Sequence, residues 1–163
     1  MKSNLVTLAL LFAAMTQHAV PSMAAESDNI KFVGKLVEPP ACTFNGGKPI
    51  EVNFGEVRTD KIDGTNFKKT VDYGLKCERA DGKVLKLSLT GGASGFDPTV
   101  LATSVTDLGI KLFLDDTVLE VNKSRDLTYP KTPVLTVVPV KKDKANLKGG
   151  DFNASGNLKI EYI

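Results

Sequence analysis

The sequence predicts an all-β chain, an antiparallel sandwich of two sheets. Apolar and polar residues alternate along most of its length, as strands with one buried and one wet face require. Glycine, asparagine and proline turn signals separate the alternating runs. Helical three-and-four spacing is missing, and only Asp97 to Thr103 looks able to form a helical turn. At 163 residues, with 25% charged and 42% hydrophobic, the chain suits one globular domain. Its formal charge of +2 offers no cationic field that would point to nucleic acid.

The first element is an export segment. Lys2 precedes an apolar run from Leu5 to Met15, and Ser22-Met23-Ala24 supplies small residues for cleavage after Ala24 or Ala25. Residues 1–24 are therefore read as a signal peptide. The apolar run is too short for a bilayer core of ~30 Å, and no later stretch reaches the ~20 apolar residues of a span. His18, the single histidine, lies within this segment. Its removal leaves no histidine for a Ser-His-Asp triad, a Cys–His pair or a His-ligated zinc. Cys42 and Cys77 follow the signal, and in an oxidising compartment an isolated pair is most simply one disulfide.

The strands follow in order. Ile30 and Phe32 alternate with Asn29 and Lys31; Ile50, Val52 and Phe54 with Glu51 and Asn53; and Val71, Tyr73, Leu75 and Cys77 with Asp72, Gly74 and Lys76. Leu85, Leu87 and Leu89 share one face, as do Leu108, Ile110, Leu112 and Leu114. Val118-Leu119 and Val121 come next, then Val134 to Val140, which reads as an interior strand bordered by a kink at Pro139. Leu158, Ile160 and Tyr162 alternate with Lys159 and Glu161 up to Ile163. With turns at Asn45-Gly46-Gly47, Asp63-Gly64, Asp81-Gly82, Gly91-Gly92, Tyr129-Pro130 and Gly149-Gly150, this is a sandwich of immunoglobulin-like size.

No motif carries catalysis. Asp115-Asp116 point to opposite faces if on a strand and suit a solvated turn, as do Asp60 and Asp63. No calcium loop is present. Gly91 to Gly95 lacks the following Lys-Ser or Lys-Thr of a phosphate loop, and Lys141-Lys142-Asp143-Lys144 reads as a solvated charge cluster. Asn122-Lys123-Ser124 and Asn153-Ala154-Ser155 match only a three-residue glycosylation pattern. No enzyme, cofactor or metal is expected. The informative elements are two alternating strands at the ends of the mature chain, Asp28 to Lys35 and the one running to Ile163. Periodicity does not decide whether these are edges of a closed, self-contained secreted binding protein or something more specialised.

From end to end, the mature sequence resembles chaperone–usher pilus subunits, especially the small adaptor pilins of P-type pili. Ser27 to Lys35 resembles their N-terminal extension, Pro39-Pro40-Ala41-Cys42-Thr43 the opening of the domain with Ala41 inserted, and Val52 to Val57 the second-strand motif. Leu75-Lys76-Cys77 resembles the strand bearing the partner cysteine, and Val100 to Thr103 with Leu108-Gly109-Ile110 the mid-domain pattern. Gly150 stands fourteenth from the end and Tyr162 is penultimate, as in this family.

The resemblance implies an incomplete immunoglobulin-like sandwich, a pilin fold lacking its final strand, over residues 39–163. A donor-strand extension would occupy residues 25–38. Asp28, Ile30, Phe32 and Gly34 would face inward when donated. Gly150, Leu158, Ile160 and Tyr162 would form the acceptor and chaperone-binding edge, with the Ile163 carboxylate held by chaperone cations. Cys42–Cys77 would staple the first and third strands. The implied partners are a periplasmic chaperone, an outer-membrane usher and neighbouring subunits, with the product exported through the periplasm to the bacterial surface.

Overall fold

The structure is a computed structural model that describes residues 28–162; the expected signal segment and Ile163 lie outside them. The chain divides into two units, one ending at Leu36 and the other running from Val37. In the first, residues 28–36 carry neither helix nor strand, and Ile30 and Phe32 are exposed. The alternation there predicts a strand, but a strand exists only through hydrogen bonds to a neighbour. The pattern is present without the ladder.

The second unit is β throughout. β1 (Ala41–Thr43) pairs antiparallel with β3 (Lys76–Glu78), placing Cys42 opposite Cys77, and a disulfide joins the two. One sheet has the order β2 (Lys69–Val71), β9 (Leu135–Lys141), β6 (Leu108–Leu114), β5 (Leu101–Ala102), with β7 (Thr117–Leu119) returning along β6. The other has the order β10 (Gly156–Tyr162), β4 (Val84–Gly91), β8 (Ser124–Thr128). Every ladder among these strands is antiparallel.

Alternation decides which side chains meet between the sheets. Leu85, Leu87, Leu89 and Leu127 come from one sheet, and Val71, Ile110, Leu112, Leu114, Leu135 and Val137 from the other, into one buried cluster. The opposite face of the three-stranded sheet is polar, with Glu161, Lys86 and Asp126 side by side across its strands. Lys86 and Asp126 approach to 3.7 Å there.

Several elements depart from the periodicity reading. The run Val71–Cys77 is not one strand: Gly74, at φ +50°, turns the chain so that β2 joins the large sheet and β3 joins β1. Residues 50–54 pair with no strand, although Ile50, Val52 and Phe54 still pack on the core while Glu51 and Asn53 are exposed. β8 was not legible because Leu127 is its one buried residue. Asp97 to Thr103 forms no helix. Asp97 accepts hydrogen bonds from the Thr99 hydroxyl and N–H, which hold its carboxyl below the ordinary 3.8, and β5 follows the turn. Pro139 lies inside β9, but β2 ends opposite Val137, so β9 has a neighbour on one side only where the N–H is missing.

Two local contacts set the geometry. A Cβ on Gly109 would collide with the Cγ1 of fully buried Val100 and stand 3.0 Å from the Leu101 carbonyl oxygen. Gly109→Ala is therefore expected to cost about 1–3 kcal/mol, read as a lowered urea midpoint with an unchanged slope. The pairing of β8 with β4 stops at Ser88, and Asn122 continues it. Its Nδ2 donates to the Gly91 oxygen (3.0 Å), its Oδ1 accepts from the Gly91 N–H (3.1 Å), and its own N–H donates to the Leu89 oxygen (2.8 Å).

Candidate strand-acceptor cleft

β10 is the outermost strand of its sheet and pairs only with β4. Leu158, Ile160 and Tyr162 stand opposite Leu89, Leu87 and Leu85. The β4 partners are 6%, 0% and 1% exposed, whereas Leu158 and Ile160 are half-buried and Tyr162 is 50% exposed. Residues with the same inward orientation differ in this way because one row has a strand on each side and the other does not. The Lys83 ammonium lies 5.5 Å from the Tyr162 ring centroid, a cation–π contact at this open end.

Ahead of β10 in the chain, residues up to Ala154 line a cleft of about 960 Å³. Ile50 to Val57 form one wall and Leu147 to Ala154 the other, with Leu89, Leu101, Ile110, Leu112 and Val137 among the core residues reached between them. Phe54 and Phe152, one from each wall, have ring centroids 6.1 Å apart. Gly150 lines the second wall. At Gly156, where β10 begins, a Cβ would come within 3.2 Å of Leu89 Cδ1 and the Thr90 oxygen, so a side chain there would need these neighbours to give by a few tenths of an ångström.

Of the predicted edge residues, Gly150 lines the cleft, Leu158, Ile160 and Tyr162 lie on the outer strand β10, and Ile163 lies outside the described residues. The opposite wall was missed as a site. Ile50, Val52 and Phe54 were legible as an apolar face, but nothing in their spacing says that the face borders an unfilled gap. Cys42 and Cys77 sit beside this architecture, and the Cys77 N–H donates to the Tyr129 hydroxyl (3.3 Å). In the leading unit, Ile30 and Phe32 are 76% and 89% exposed, and Leu36, in phase with them, is fully exposed. Asp28 is exposed as well, and a Cβ on Gly34 would meet nothing within 4 Å. Among the described residues no cluster of side chains is arranged to hold a metal, and no helix is long and apolar enough to cross a membrane.

A sandwich with a bare inward-facing edge and an open apolar cleft has the architecture of a pilin, a fibre subunit and not an enzyme. Residues 30–163 match the family model described as fimbrial protein, and the chain belongs to that family. It is 33% identical over 144 residues to the fimbrial-like protein YfcQ of Escherichia coli K12, covering 85% of this chain and 89% of that one. It is 28% identical over 165 residues to the fimbrial adapter PapF of Escherichia coli, covering 93% and 96%. The solved P pilus adaptor subunit PapF superposes with a TM-score of 0.55 at 27% identity, over 75% of this chain and 95% of that chain. The protein is accordingly a chaperone–usher type fimbrial subunit, similar to P pilus adaptors.

Proposed function

We propose that this subunit is a minor adaptor that polymerises by donor-strand complementation and exchange, linking neighbours in a pilus that supports cell adhesion. The observation that carries the reading is the contrast along β10, where inward-facing Leu158 and Ile160 remain half-exposed beside fully buried partners. An unpaired edge over an exposed core is a template for another strand. Strand addition of this kind has pilin complementation among its known examples. A periplasmic chaperone fills the cleft first, with the Ile163 carboxylate held by its cations. At the outer-membrane usher, the leading segment of a neighbouring subunit replaces it.

In the donor role, Ile30 and Phe32 are the anchors of this chain's own leading segment, with Asp28 and Gly34 at flanking inward positions and Leu36 continuing the same face. Gly34 leaves room for close backbone approach in the receiving subunit. Three to four inserted apolar side chains at ~1.5–3 kcal/mol each contribute roughly 5–12 kcal/mol. That is comparable to the whole stability of a domain, about 5–15 kcal/mol, so the subunit depends on its neighbour to complete it. Export through the periplasm and display on the bacterial surface follow from the signal segment and this assembly route.

Expression of the mature chain in the periplasm with and without its chaperone tests the reading. Soluble subunit is expected only as the chaperone complex, and its recovery is expected to collapse without the chaperone. Abundant stable monomer on its own would instead mark a self-contained secreted sandwich that binds through some other surface.

A further inference from the structure

Charge is unevenly distributed around the cleft. Among the residues that line it, Glu51, Glu56 and Asp151 carry carboxylates and only Lys148 carries an ammonium. All four are exposed, and among the described residues none of them takes part in an ion pair within 4.0 Å. Some acids elsewhere on this unit stand beside bases, as in Arg58–Asp60, Lys86–Asp126, Lys142–Asp107 and Lys159–Glu161, while others such as Asp72, Asp81 and Glu120 are likewise in no ion pair among the described residues. The lining of the cleft thus holds three carboxylates to one ammonium, one on the first wall at Glu51, one at its far end at Glu56, and one on the second wall at Asp151.

An extended strand lying in the cleft presents alternate side chains to the core and to the solvent. Its apolar residues fill the interior, and its intervening residues project outward between the two walls. Glu51 lies between half-buried Ile50 and Val52 and is itself exposed, so it belongs to the same outward layer. Neighbouring outward side chains in adjacent strands interact directly, and like charges there repel. Resting on the strand-acceptor reading above, we infer that this cleft selects strands bearing lysine or arginine at their outward positions, and that the uncompensated carboxylates speed their arrival. The partner is thus an alternating apolar segment with a basic outer face. The leading segment of this chain has that chemistry, with Lys31 and Lys35 between Ile30, Phe32, Gly34 and Leu36. Electrostatic guidance of this type acts mainly on the association rate and is screened by salt.

The test uses the mature chain isolated with its chaperone and two labelled peptides, residues 28–37 of this sequence and the same peptide with Lys31→Glu and Lys35→Glu. The time course of peptide uptake is followed at roughly 0.02 M and about 0.5 M salt. At low salt the lysine peptide is expected to enter about tenfold faster or more, with the gap closing at high salt. The gap is also expected to shrink in the Glu51→Gln, Glu56→Gln, Asp151→Asn protein and to widen in Lys148→Glu, a single exposed change that guards against misfolding of the triple variant. Equal uptake of both peptides at low salt overturns the charge selection while leaving strand acceptance intact. Failure of both peptides to enter under every condition overturns strand acceptance itself, and the selection with it.

Discussion

A chain carrying Ile30→Asp and Phe32→Asp is expected to fold with its chaperone as the natural chain does, yet to fail as a donor to the next subunit. Both side chains are largely exposed in the leading unit, so their replacement removes nothing that the sandwich itself buries. In the receiving subunit each would be buried at a gain of ~1.5–3 kcal/mol, and the aspartates add the cost of desolvating a charge. Two lost anchors correspond to about 3–6 kcal/mol, a weakening of roughly 10²–10⁴-fold. Co-purification with the chaperone measures the first half of the expectation, and incorporation into fibres or into an isolated acceptor measures the second. Loss of chaperone binding with donation preserved would mean that donor and acceptor ends had been assigned the wrong way round.

The second large effect is expected at the disulfide. β1 and β3 pair only with each other and belong to neither large sheet, so the Cys42–Cys77 bond is their covalent anchor. The chain then runs from β1 through the turn at Asn45–Gly47 into Ile50, Val52 and Phe54, the first wall of the cleft. Replacing both cysteines by serine is expected to destabilise the domain by about 2–5 kcal/mol and to free that wall. A lowered denaturation midpoint and faster proteolysis between β1 and Phe54 would report both consequences. A variant that matches the natural chain in midpoint and in chaperone complex yield would show that the ribbon is held without the bond.

Much of the sandwich was legible because its inward residues are spaced by two. Leu85, Leu87 and Leu89, and likewise Leu108 to Leu114, fall where their alternation puts them. Partnership was not legible, since alternation records which face is buried and says nothing about which backbone lies alongside. The same pattern gives a ladder in β10, a partnerless wall at Ile50 to Phe54, and no strand at Ile30 to Phe32. Gly74 is a single residue that sends one apolar run into two sheets, and a lone glycine inside an alternating stretch announces a bend without its destination. β8 shows the opposite failure, for a strand with one inward anchor at Leu127 is too polar to stand out. The resemblance of the end-to-end motif order to pilins, and not periodicity, singles out the edge at β10 as the expected acceptor.

The three-stranded sheet has two rims, and they are unequal. Beyond β4 on the far side lie a short, charged β8 and the amide of Asn122, which occupies the hydrogen-bonding groups of Gly91 in place of a backbone. Short charged rims discourage further pairing. On the proposed strand-acceptor reading, this sheet would take up a strand at one flank only, and a fibre built that way would acquire a fixed polarity from the shape of a single monomer.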